Sequence, residues 1–93
     1  MDVGEAVRLI EEAIKSVDEA GELCTSAMDY LEDALSFVEE EAWDEALVAL
    51  EEACGEIRAA IGEMEEAVKL GDAVKSGIQR LRREAYGQEA GVL

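Results

Sequence analysis

VGEAVRLIEEAIKSVDEAGELCTSAMDYLEDALSFV, residues 3–38, carries apolar residues and one glycine at alternating steps of four and three. Such steps keep side chains on one side of a supercoiled helix. The pattern predicts one helix over about residues 3–40, capped by Asp2 and continuous through Gly21. We call these positions the apolar seam: Val3, Val7, Ile10, Ile14, Val17, Gly21, Cys24, Met28, Leu31, Leu35 and Val38.

A second seam follows a turn. Three consecutive glutamates occupy residues 39–41, and negative charge is unfavourable at the C-terminal end of a helix dipole. We therefore expect the turn at about 41–44. The second helix, about 45–70, continues the seam with Leu47, Leu50, Cys54, Ile57, Ile61, Met64 and Val68. Folding the chain about the turn pairs the seams, for example Leu35 with Leu50. The sequence therefore predicts an antiparallel helical hairpin with a core of seam residues.

A third helix is expected at about 72–86. The second helix is predicted to end at Leu70, because Gly71 can adopt the left-handed conformation that terminates a helix. Asp72 is then the expected N-cap of the next helix. Residues 87–93 are predicted to form a frayed tail. The chain has no proline and few aromatic residues, which is typical of helical proteins. We expect one all-α domain spanning residues 1–93.

A column of alanines lies beside the seam at seven-residue spacing. Together with the seam it forms an apolar stripe wider than one hairpin partner can cover, so we expect a second surface to bury the remainder. The spacing resembles that of Rop-like antiparallel bundles, which implies close helix packing. We expect a homodimeric four-helix-type bundle through the alanines, with a monomeric three-helix bundle as the alternative. The predicted interface is Ala6, Ala13, Ala20, Ala27, Ala34, Ala46, Ala53, Ala60 and Ala67.

The charge is large and unevenly distributed. The net charge of −16 disfavours free nucleic acid and anionic membranes as partners, and it favours a basic protein. Residues 69–83 nevertheless hold five cations and one acid, a net charge of +4 that leaves −20 elsewhere. Their cations either lie along acidic helices or contact a partner. The candidate partner contacts are Lys75, Arg80, Arg82 and Arg83.

Sites for chemistry are not predicted. The chain has no histidine, and neither cysteine has a general base nearby in sequence, so we expect no catalytic, cofactor-binding or metal residues. An acidic N-terminal segment without a signal pattern makes the cytoplasm the expected location, with no membrane partner. We expect a small, acidic, non-enzymatic helical interaction or adaptor protein that self-associates. The alternative is an acidic nucleic-acid mimic, of the phage anti-defence type, that occupies a basic groove on its target.

Overall fold

The protein is a long two-helix hairpin. The structure, a computed structural model, describes the backbone of residues 1–92 and the side chains of residues 1–87. Helix α1 spans Val3–Glu39 and helix α2 spans Trp43–Val92, and the molecule measures 77 × 16 × 13 Å. The prediction of an all-helical chain is confirmed for the described residues, and α1 passes through Gly21 without interruption.

Asp2 caps the start of α1. Its backbone is extended, and its side-chain oxygen Oδ1 accepts a hydrogen bond from the Glu5 N–H at 2.7 Å. The Asp2 carbonyl accepts the first helical bond, from the Ala6 N–H at 3.0 Å. Since the first N–H groups of a helix lack partners within it, this arrangement fixes where α1 begins.

The turn between the helices is a Schellman motif. The Ala42 N–H donates to the Phe37 carbonyl at 2.8 Å, and the Glu41 N–H donates to the Val38 carbonyl at 3.0 Å. Glu41 adopts a φ of 58°, in the left-handed region that this motif requires at that position. The turn occupies residues 40–42, slightly earlier than predicted.

The predicted third helix is wrong: α2 continues through Gly71 to Val92. The reason is that Ala67, Leu70, Val74, Gly77 and Leu81 keep alternating steps of three and four and all lie buried or half-buried. This continuous packing face outweighs the cost of one glycine, about 1 kcal/mol relative to alanine. The predicted frayed tail, 87–93, falls at the end of α2, and Leu93 lies outside the described residues.

The core of the hairpin is built from the alanines. Ala53 is fully buried, whereas Leu35 is 61% exposed and Leu50 is 39% exposed, so the predicted pairing of the seams is wrong. Half-buried large residues alternate with the alanines of α1 at steps of three and four: Leu9, Leu23, Tyr30 and Phe37. Counted outward from the turn, Tyr30 is level with Ala53 and Leu23 with Ala60. Large side chains of α1 thus meet small ones of α2, which a close-packed core requires.

Candidate interaction face

The seams of both helices lie on one side of the hairpin. In each helix a seam residue follows its core neighbour by one position, as Cys54 follows Ala53. Because both helices are right-handed and run antiparallel, that one-residue step turns toward the same side of the molecule. Surface grooves show the result: one is lined by Cys24 of α1 together with Ile57, Ile61, Met64 and Val68 of α2. We call this surface the seam face.

The seam face is apolar and open. Ile14 is 63% exposed and Leu47 is 65% exposed, and most other large seam residues are likewise exposed. The face runs from Val38 to Val3, roughly 50 Å at the rise of a helix. With the molecule's 16 Å width, its area is roughly 800 Å², larger than the apolar patches usual on a monomer.

A groove crosses the seam face where two glycines lie. Ile10, Ile14, Val17 and Gly21 of α1 line it opposite Ala67 and Gly71 of α2. Nothing lies within 4 Å of where a Cβ would stand at either Gly21 or Gly71. The glycines therefore leave a depression that a large side chain from outside could occupy.

Charged side chains border the seam face on both edges. We call these residues the rim. Each lies one position after a seam residue and four positions after the preceding seam residue, as Glu11 follows Ile10 and Val7, and all of them are exposed. The rim of α1 is acidic, and the rim of α2 contains one cation, Arg58. The principal charged rim residues are Glu11, Asp18, Glu32 and Glu39 on α1, and Glu51, Arg58, Glu65 and Asp72 on α2.

The alanines predicted to contact another copy are covered within the chain. Ala13 and Ala67 are half-buried, and the other seven predicted interface alanines are buried, all between α1 and α2. This corrects the prediction of which face closes the hairpin: the alanine column does so, and the seam is left exposed. The signal was present in the sequence, since the core positions of α1 repeat at the same spacing as the seam.

The predicted basic contacts lie at the end of the hairpin away from the turn. Lys75, Arg80, Arg82 and Arg83 are exposed. Met1 packs over Gly77, so α2 continues past the level at which α1 begins. Among the side chains that the structure describes, the one ion pair joins Arg8 to Glu12 at 2.8 Å. The four cations thus form no ion pair with a described acid.

The chain has no histidine, so its thiols and carboxylates are the side chains that a metal ion would bind. Cys24 and Cys54 are both exposed, on the seam face. Within the described residues, no three His, Cys, Asp or Glu side chains cluster so as to hold a metal ion. No helix in the described part is long and apolar enough to cross a membrane.

Comparisons with protein-family models, curated protein sequences and solved structures found no match to this chain.

Proposed function

We propose that the protein is a non-enzymatic helical interaction protein that self-associates through its seam face into a dimeric four-helix bundle. The observation that carries the proposal is the continuous apolar surface formed by the seams of both helices, which residues 1–87 leave uncovered. A second copy would bring an identical surface, and symmetric dimers pair the same patch on both subunits.

The size of the seam face supports this proposal. Specific protein interfaces bury about 800 Å² on each partner, and the face offers roughly that area. The core inside one hairpin is made mostly of alanines, whose burial stabilises a small chain less than that of larger apolar side chains. Packing two seam faces together would add the large apolar core that the single hairpin lacks.

Light scattering tests the proposal. One chain has a mass of 10.1 kDa, and we expect the wild type to have twice that mass. Ile61 lies on the seam face and is 52% exposed, so Ile61→Glu should give the mass of a single chain. Val48 is 59% exposed on the opposite side, beside Phe37 and Glu52, and Val48→Glu should leave the dimer intact.

The outcomes separate the seam face from a general effect of added charge. Both variants introduce one carboxylate at an exposed apolar position, so a loss of mass confined to Ile61→Glu locates the interface. A wild type with the mass of one chain at high concentration would contradict the proposal. Equal behaviour of the two variants would contradict the seam face as the interface.

A further inference from the structure

We infer that the second copy binds with its turn at the opposite end of the bundle, so that the basic end of α2 lies against the acidic turn of the other copy. This inference rests on the proposed dimer through the seam face. It adds the orientation of the two hairpins and the residues that determine it.

The position of the seam face along the hairpin sets the alignment of the copies. On α1 the face extends from Val38 to Val3, so its midpoint lies beside Gly21. At the same level on α2 lie Ile61 and Gly62, about twenty residues from the turn. A two-fold axis that crosses the helices at right angles at this midpoint reverses the direction of the second copy. Its turn then lies a further twenty residues along α2, at about residue 82.

Opposite charges meet at that level. The turn region of residues 39–45 carries five acids, and the end of α2 carries the cations. Arg80, Arg82 and Arg83 fall level with the turn of the second copy, and Lys75 falls about 10 Å short of it. Exposed Trp43 of the second copy lies level with Ile78 and Arg82, where a guanidinium can stack on the indole.

The rim charges favour the same orientation. With the turns at opposite ends, α2 faces α2 of the second copy, and Arg58 falls level with Glu65. This pair forms twice by symmetry. The arrangement also brings Glu51 level with Asp72 and Glu11 level with Glu32, so some repulsion between acids persists, in fewer pairs than in the opposite orientation.

The opposite choice is less favourable. If both turns lay at the same end, α1 would face α2 of the second copy. Three pairs of acids would then meet at equal levels along each edge: Glu51 with Glu32, Glu65 with Asp18, and Asp72 with Glu11. Arg58 would fall level with Thr25, and the basic ends would lie side by side. Like charges placed opposite one another destabilise an interface and exclude the wrong geometry.

Shape agrees with charge. In the inferred arrangement the groove at Gly21 and Gly71 faces the middle of the second copy's seam face. Met28 and Leu31 of that copy fall at the level of the groove. Both side chains are large and exposed, so each can fill space that the glycines leave.

Disulfide trapping tests the orientation, in the full chain with Cys24→Ala and Cys54→Ala. Leu47→Cys with Lys75→Cys places two thiols level across the inferred dimer, although they lie about 40 Å apart along one α2. Val7→Cys with Lys75→Cys is the matched control, because between two copies those positions are level only when the turns share an end. They are also level within one hairpin, so denaturing, non-reducing electrophoresis must separate an intrachain disulfide, with the mass of one chain, from a covalent dimer. Mild oxidation should give a covalent dimer of the first variant and not of the second.

The outcomes distinguish the orientation from the dimer itself. A covalent dimer of the Val7→Cys control in place of the first variant would overturn the orientation. Failure of both to form one, while light scattering of the reduced proteins gives two chains, would overturn the orientation alone. A reduced mass of one chain for both variants and for the wild type would overturn this inference and the proposed function together.

Discussion

Ala53 lies fully buried between the two helices, and Cys54, the next residue of α2, lies exposed on the seam face. One step along the helix thus separates the surface that closes the hairpin from the surface proposed to join two hairpins. The same relation holds along the shared length of both helices, where each carries two adjacent apolar faces. Substitutions on the first face should therefore change the stability of the fold, whereas the second face should control self-association.

Ala53→Leu should destabilise the fold by about 1–3 kcal/mol, because a larger side chain forces closely packed helices apart. Denaturant unfolding at one fixed protein concentration measures the change. Ala59→Leu is the matched control, since Ala59 is exposed on the same helix and should tolerate the added volume. Equal losses in the two variants would show that Ala53 has no special place in the core.

Glu41→Gly should stabilise the protein by about 1 kcal/mol, because glycine adopts the left-handed conformation without the cost that a side chain incurs. Glu40→Gly removes the same charge from a residue with a φ of −87°, so it should bring no such gain. Thermal unfolding followed by circular dichroism compares the two. Stabilisation by both variants would attribute the effect to charge instead of backbone conformation.

Added salt should strengthen self-association. Each chain carries a net charge of −16, so two copies repel one another overall, and salt screens that repulsion. The dissociation constant, measured by analytical ultracentrifugation from about 50 to 500 mM NaCl, should fall. An acidic decoy bound to a basic protein would show the opposite trend in its complex, since salt weakens attraction between opposite charges.

Thiol labelling should slow as the protein concentration rises. Cys24 and Cys54 are exposed in the single chain but lie on the face that a second copy would cover. The rate of reaction with a thiol reagent, compared far below and far above the dissociation constant, reports that coverage. Ser76→Cys, in a chain whose native cysteines are alanine, serves as the control because Ser76 is exposed off the seam face. A rate that does not change for the native cysteines would count against the dimer.

The sequence alone predicts where α1 begins and ends, but it does not predict which face of each helix packs against the other. The seven-residue spacing and the Asp2 cap predicted α1 to within one residue of its observed end, because local patterns determine both. The hairpin interface was missed because it repeats at the same spacing as the seam, one residue earlier. Ser16, Glu56 and Glu63 occupy positions in that interface, so it looks more polar than the seam. Which of two parallel apolar stripes faces the other helix depends on tertiary packing, which spacing alone does not reveal.

Gly71 shows a second limit of local signals. A glycine followed by an aspartate predicts a helix end, yet Leu70 and Val74 on either side both pack toward α1. Continuous packing therefore determined the outcome at this position.

The concentration dependence of thermal unfolding tests the central claim most directly, namely that the seam face joins two chains. If folding includes dimerisation, the unfolding midpoint rises with protein concentration, because mass action favours the associated state. We predict such a rise for the wild type between about 1 and 100 μM and its loss in Ile61→Glu. A wild-type midpoint that stays constant over that range would contradict the account.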